Sequence, residues 1–381
     1  MLAIILFVVI LGLLIVVHEF GHFIAARLCG IRVDEFGIGY PPRALKMFRA
    51  WGADFTLNWI PFGGFVKIFG ENPLDPELVG PEADAARAAG KGADLSRSFM
   101  SKPRHYQAFV LVAGVLFNFL FAWLLISLGF AIGLPTSVDA GLGEVTNPRL
   151  VLTNIVPASP AEKAGLKPGD TVTAMRVPSG DALATGAITP ENISNFVAKH
   201  GDSKITVEYT RGDANAPITT ELTPAAGLIA ERKAIGVGMD LIGTLRLPVH
   251  KALWQGMKTT LNLTWGTVAG LGTFIGDAFR GKADVAQVAG PIGIIGLVGD
   301  ASKLGFIYIL SFTAFISINL AVINLVPIPA LDGGRLLFVA IEAVSRRAIN
   351  AKFVYWTNAV SFVLLICLMV LVTVNDVVKL W

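Results

Sequence analysis

The stretch His18-Glu19-Phe20-Gly21-His22 lies inside an apolar run that extends from residue 2 to residue 28. On a helix, residues four positions apart share a face, so both imidazoles can reach one metal ion. Glu19 lies at the edge of the same face, where its carboxylate can act as a general base. The pattern therefore predicts a metal site on a helix.

A surface helix with incidental charges is the alternative interpretation of this stretch. It is disfavoured because ionisable groups inside a membrane helix are costly and usually mark a functional site. A cleaved secretory signal is also disfavoured, because the run has no basic segment before it and no small-residue cleavage site after it.

The composition indicates a membrane protein. Of 381 residues, 54% are hydrophobic and 15% are charged, whereas soluble domains carry about 25% charged residues. The net charge of +3 disfavours a nucleic-acid partner, since such domains usually present a dense basic face. The two cysteines, Cys29 and Cys367, can form neither a disulfide framework nor a CxxC metal site.

Four runs are long and apolar enough to span a membrane as helices: residues 2–28, 108–134, 306–326 and 354–374. A less apolar run at 253–279 is expected to lie at the interface or to pack on the bundle. Lysine and arginine residues cluster at 27–49, 102–104 and 335–352, so both short links are expected to be cytoplasmic. The long segment 135–305 then lies on the opposite side.

The predicted organisation follows this order. Residues 1–28 form the first transmembrane helix with HExxH, and residues 29–104 form a cytoplasmic or re-entrant region with a β-hairpin at 53–69. Residues 105–134 form the second transmembrane helix, 139–243 a small α+β domain, and 244–303 an amphipathic or interfacial region. Residues 304–334 hold the third transmembrane helix and an aspartate-bearing loop, and 335–381 a cytoplasmic link and the fourth. Residues 83–93, low in complexity, are expected to form a loose cytoplasmic loop.

A third metal ligand must come from elsewhere, because catalytic zinc usually has three protein ligands and an open position. His105, His200 and His250 lie at span ends or in the long segment 135–305. Asp332 follows the third span at a depth that matches His18, after two helix-breaking prolines and before two glycines. That Asp332 merely caps the next helix remains an alternative. With zinc to activate water, Glu19 would accept its proton and pass it to the leaving amine of a peptide.

Residues 54–67 alternate in polarity around Pro61-Phe62-Gly63-Gly64 and predict a β-hairpin that turns there. Its apolar edge could pair with an extended substrate; an ordinary packed hairpin remains an alternative.

In the long segment 135–305, strands are predicted at 151–156, 171–177, 204–210 and 218–222, with a turn at Gly212-Asp213. Helices are predicted from Ser159, as an N-cap before proline, and at 190–200.

These motifs resemble those of the site-2 protease family of intramembrane zinc proteases, in particular the bacterial regulator of sigma-E protease branch. The resemblance covers nearly the whole chain and includes HEFGH at 18–22, GGFVK at 63–67, GPIG at 290–293 and NLVPIPALDGG at 324–334. It implies one Zn²⁺ held by His18, His22 and Asp332, with Glu19 catalytic. Substrate-binding roles are implied for Asn324, Gly63, Gly64, Phe65 and Asn118.

Residues 159–170 look like part of a PDZ domain, and residues 235–238 resemble its peptide-binding strand. The chain departs from well-known members of the family in having room for only one PDZ domain. It also has Gly114-Val115 ahead of Asn118, where many members have Gly-Pro.

The implied fold is a polytopic α-helical membrane protein with about four transmembrane helices, a membrane-associated β-hairpin and one extracytoplasmic α+β PDZ-like domain. The implied function is regulated intramembrane proteolysis, in a bacterial inner membrane, of single-span proteins first cut outside. Anti-sigma factors and signal-peptide remnants are the implied substrates. The implied partners are that substrate, the lipid bilayer, and a PDZ peptide ligand or the substrate's outer part.

A catalytically idle PDZ-bearing scaffold is the alternative function. The intact Glu19 disfavours it, because a scaffold has no use for a general base beside two metal ligands. A metal transporter is a further alternative. It is disfavoured because it would need polar metal ligands along several spans, and the second and fourth spans offer almost none.

Overall fold

The computed structural model describes residues 1–71, 94–184, 186–212, 216–229, 232–282 and 288–379. The predicted loop at 83–93 and Asp213 of the predicted turn lie outside these residues. The chain divides into two compact units. Unit 1 consists of Met1–Ile126, Leu253–Ser302 and Ile309–Trp381, and unit 2 of Ser127–Ala252 and Lys303–Tyr308.

The helices of the described residues are α1 (Leu2–Leu28), α2 (Arg104–Ile132), α3 (Pro160–Lys163), α4 (Pro190–Lys199), α5 (Val249–Phe279), α6 (Pro291–Lys303), α7 (Phe306–Leu325), α8 (Asp332–Ser345) and α9 (Ala351–Lys379). Four of them, α1, α2, α7 and α9, are long and apolar enough to cross a membrane, which confirms the four predicted spans. Among the helices of the described residues, α5 is not one of these candidates. That α5 lies at the membrane interface stays a prediction.

Helices α1 and α2 approach closely at small residues. A Cβ atom on Gly21 would overlap with the carbonyl oxygen of Ala113 and lie 3.0 Å from the Cα of Gly114. Small residues at such a crossing let two helix backbones come together in a membrane. The inward face of α1 at this level carries His18 and His22, both buried.

The strands of unit 1 are β1 (Val33–Ala50) and β2 (Ala53–Ile68). They are joined by Trp51 and Gly52, which have φ angles of 49° and 81°, as a tight two-residue hairpin turn requires. The predicted turn at residues 61–64 is therefore wrong, since 53–68 is one strand. Residues 61–63 fall in a gap of the ladder between Ile60, opposite Tyr40, and Gly64, opposite Ile38. The proline and glycines there mark an irregularity within the strand, not its end.

The start of β1 has partners on both of its sides. Phe36 lies opposite both Phe55 and Val66, and residues 35–38 share this double pairing. The end of β2, from Gly64 to Ile68, therefore forms an outer edge of the curled sheet. No third strand joins β1 and β2 among the described residues.

Unit 2 contains β3 (Leu134–Ser137), β4 (Thr146–Ile155), β5 (Thr171–Arg176), β6 (Ala182–Leu183), β7 (Ile205–Thr210), β8 (Ile218–Leu222), β9 (Ala225–Ile229), β10 (Arg232–Ala234) and β11 (Val237–Leu245). Its main sheet has the order β3-β11-β4-β5-β7-β8, with β6 beside β5. Helix α4 buries Ile193, Phe196 and Val197 in the core of this unit.

Two local predictions for unit 2 are confirmed. The Ser159 hydroxyl accepts from the Glu162 amide at the start of α3, and the Glu162 carboxylate accepts from the Ala158 amide. The Ser159 N-cap is the one predicted from the sequence; the Glu162 carboxylate bonds to the residue before the cap, whereas in a capping box it would bond to the amide of Ser159. Helix α4 covers residues 190–199, one residue shorter than predicted.

Candidate metal centre

Three side chains converge where α1 meets the start of α8. The Nε2 atom of His18 lies 2.9 Å from Oδ2 of Asp332, and the Nε2 atom of His22 lies 3.2 Å from the same oxygen. The two Nε2 atoms are 3.2 Å apart. One potential ligand atom from each residue lies within 4.8 Å of the others. Two imidazole nitrogens and one carboxylate oxygen form a donor set that suits zinc.

Asp332 reaches α1 because the chain folds back tightly after α7. A Cβ atom on Gly333 would overlap with the carbonyl of Leu325, and one on Gly334 with the carbonyl of Ile328. Only glycine allows this approach. Asp332 is the first residue of α8, and the N-cap is Leu331, which makes no side-chain capping bond. The Asp332 carboxylate contacts the two imidazoles instead.

Helix α2 forms the wall behind the two histidines. The Nδ1 atom of His22 lies 2.8 Å from the carbonyl oxygen of Val110, and the Nδ1 atom of His18 lies 3.3 Å from the Asn118 amide. Midway between them, a Cβ atom on Gly114 would lie 2.7 Å from Cε1 of His22 and 2.8 Å from Cε1 of His18. Sequence reasoning missed the contribution of Val110, since a backbone carbonyl leaves no signal. Gly114 left only the weak signal of a glycine inside a spanning helix.

Glu19 faces the outer end of β2. A Cβ atom on Gly64 would lie 3.8 Å from Cγ of Glu19, and the backbone amide of Val66 interacts with the Glu19 carboxylate. The strand therefore passes beside this carboxylate with little more than backbone between them.

The other predicted residues lie around this centre. A Cβ atom on Gly63 would overlap with the ring of Tyr40, and one on Gly37 would overlap with the ring of Phe65. Asn324, half-buried, is in the last turn of α7. Of the remaining histidines, His200 bonds to Asp181 in unit 2 at 3.0 Å, so it belongs to a different environment.

The comparison with known protein families decides the identity of this arrangement. The model of peptidase family M50 matches residues 6–368. The chain belongs to peptidase family M50.

Relatives of this M50 peptidase cover almost its whole length. A putative zinc metalloprotease of Clostridium perfringens is 32% identical over 365 residues, 96% of this chain and 95% of the relative. The zinc metalloprotease RasP of Geobacillus kaustophilus is 28% identical and covers 99% of this chain and 98% of its own. The regulator of sigma-W protease RasP of Bacillus subtilis is 27% identical and covers 99% of both. The M50 peptidase described here is a multi-pass membrane metallopeptidase, and its metal is zinc.

Proposed function

We propose that this M50 peptidase cuts peptide bonds within the membrane, with zinc held by His18, His22 and Asp332 and with Glu19 as the catalytic acid and base. The main support is that two of the three donor side chains, His18 and His22, lie on a helix that is itself apolar enough to span a membrane, and that the third, Asp332, contacts them there. A soluble-type protease attached by a membrane tether would not be expected to carry metal ligands within a spanning helix, because ionisable groups are costly there.

Bound zinc would polarise the scissile carbonyl and lower the pKa of an attacking water. The residues of the chain then have separate tasks. Asp332 and the two histidines hold the ion, and Val110 fixes the ring orientation of His22 through its carbonyl. Glu19 accepts a proton from the water and delivers it to the amine of the leaving segment.

The outer edge of β2 is the proposed binding site for the substrate backbone. A helical substrate hides its peptide bonds, so the segment to be cut must unwind into extended chain. Among the described residues, 64–68 pair with a strand on one side only; the other side lies beside Glu19, whose carboxylate accepts from the Val66 amide. An added strand would gain hydrogen bonds to the remaining backbone groups there. Gly64 and Phe65 belong to this edge and Gly63 directly precedes it; all three, with Asn324 at the end of α7, are proposed to contact the substrate.

The proposed substrates are single-span membrane proteins that another protease has already shortened on the outer side, such as anti-sigma factors or signal-peptide remnants. A relative that is named regulator of sigma-W protease supports the first class. The proposed location is a bacterial inner membrane, with residues 139–243 on the periplasmic side as a PDZ-like domain.

A cavity of about 290 Å³ in unit 2 supports a peptide-binding role for this domain. It lies between α4, with Ile193 and Val197, and the chain at Ile235, Gly236 and Gly238. A glycine-rich stretch facing an apolar helix surface suits an extended peptide end. We propose that the cavity binds a peptide or the outer part of the substrate.

Cleavage of single-span reporters by the purified full-length chain tests the proposal. Wild type and Glu19→Gln would be compared on a full-length and a pre-shortened reporter, with the cut located by mass spectrometry. We expect wild type to cut the shortened reporter within its apolar segment, and Glu19→Gln to retain zinc but not to cut. A cut confined to segments outside the membrane would contradict the proposal.

A further inference from the structure

One face of α2 contacts both candidate histidine ligands. Val110, Gly114 and Asn118 are spaced by four residues, so they line up along the helix. Val110 meets Nδ1 of His22, Gly114 leaves room for both rings, and Asn118 meets Nδ1 of His18. The two imidazoles therefore have an outer partner each, on the same helix.

The contact at His22 sets its tautomer. A carbonyl oxygen can only accept, so Nδ1 of His22 must carry the hydrogen that it donates to Val110. The Nε2 atom then keeps a free lone pair in the neutral ring. That atom is the one that faces Asp332 and His18.

His18 needs the same tautomer to serve as a ligand. Its Nε2 atom faces Asp332, so the hydrogen of the neutral ring must again be on Nδ1. The group that faces Nδ1 is the Asn118 amide, at 3.3 Å. Only its oxygen can accept from Nδ1–H.

The Asn118 amide is able to supply that oxygen. With its nitrogen toward the ring, Oδ1 is buried without a hydrogen-bond partner among the described residues. The two ends of the amide have nearly the same shape, and a half-turn exchanges them without displacing other atoms. The half-turn places Oδ1 against Nδ1–H of His18 and gives the buried oxygen its partner.

We infer that Asn118 is a positioning residue: its amide oxygen accepts from Nδ1–H of His18 and holds Nε2 of that ring ready to bind zinc. The inference rests on the proposed metal ligands. Asn118 is fully buried, and its backbone carbonyl accepts from the hydroxyl of Ser317 on α7 at 2.8 Å. Asn118 lies on α2 and is enclosed by α1 and α7, so it is unsuited to the substrate-binding role that the family resemblance implied.

Zinc affinity tests this role, and the same protein can be assayed for cleavage. The full-length chain would be titrated in detergent against a zinc chelator of known affinity, for wild type, Asn118→Asp and Asn118→Leu. Aspartate keeps an acceptor at the same position and leucine removes it. Asn319→Leu is the matched control, because this half-buried α7 residue donates to the carbonyl of Phe315 in its own helix and, among the described residues, has no hydrogen bond to either imidazole.

We expect Asn118→Leu to weaken zinc binding by about 10- to 100-fold, and Asn118→Asp and Asn319→Leu to remain within about threefold of wild type. If Asn118→Leu does not fold, Asn118→Ala replaces it with the same expected loss. Unchanged zinc affinity in the leucine or alanine variant, with a raised KM, would overturn the inference and return Asn118 to substrate contact. Equal losses in the aspartate and leucine variants would also overturn it. A wild-type chain that binds no zinc would refute the proposed ligands themselves.

Discussion

Replacement of Gly114 by alanine tests how closely α2 packs behind the metal centre. The added Cβ would overlap with Nε2 of His22 and lie 2.7 Å and 2.8 Å from the Cε1 atoms of His22 and His18. Ordinary contacts between such atoms are about 3.5 Å or longer. The rings or the helix must therefore move by about 0.7 Å or more.

A displacement of this size at a metal site has a large effect. Misplacing catalytic groups by about 1 Å can cost about 100-fold in rate, and disturbing the support of a metal ligand costs about 10- to 100-fold in affinity. We expect Gly114→Ala to lose at least about tenfold in zinc affinity and more in kcat/KM. Chelator competition and reporter cleavage measure the two effects separately.

Gly12→Ala is the matched control, because a Cβ atom at Gly12 of α1 would have no neighbour within 4 Å. It should bind zinc and cut like wild type. If Gly114→Ala also keeps wild-type zinc affinity and activity, then α2 does not pack against the imidazoles as described, and the inferred role of Asn118 loses its basis.

Three further substitutions test other contacts. Gly64→Val should lower kcat/KM at least tenfold with zinc content unchanged, because a branched side chain would fill the space between β2 and Glu19; reporter kinetics with metal analysis would refute this if cleavage were unaffected. Asp170→Asn should destabilise unit 2 by about 1.5 kcal/mol, because it weakens the charge-assisted hydrogen bonds that the fully buried Asp170 carboxylate accepts from the partly exposed Arg211, the shortest at 2.6 Å; hydrogen exchange in the full-length chain measures this, and unchanged protection would contradict it. Asp376→Asn should weaken protection at the start of α6 by about 1 kcal/mol, since this carboxylate accepts from the amides at positions 290 and 293; equal exchange in both proteins would argue against the cap.

The sequence predicted what depends on local pattern and composition. The four spanning helices follow from long apolar runs, and the capped helix at Ser159 follows from local turn chemistry. The meeting of Asp332 with His18 and His22 was expected because a catalytic zinc needs a third ligand at matching depth. In the structure, Asp332 reaches the two histidines because the chain reverses direction after α7, and the close backbone contacts of Gly333 and Gly334 in this reversal leave no room for a side chain.

What the sequence could not predict depends on contacts between distant segments. The turn of the hairpin was predicted at the wrong residues, because Pro61 and Gly63 are as typical of an irregular strand as of a turn. Which of the two forms depends on the pairing of this stretch with residues 33–50. The support of His22 by Val110 comes from a backbone atom 88 positions away. The GPIG stretch had no predicted role, yet Gly290 and Gly293 donate to Asp376 of the last helix.

X-ray absorption at the zinc edge, on the full-length chain in detergent, tests the central claim most directly. The account predicts one zinc per chain with two imidazole nitrogens and a carboxylate oxygen among its ligands, and a changed or lost signal in Asp332→Ala. A zinc with sulfur ligands, or a spectrum that Asp332→Ala leaves unaltered, would contradict it.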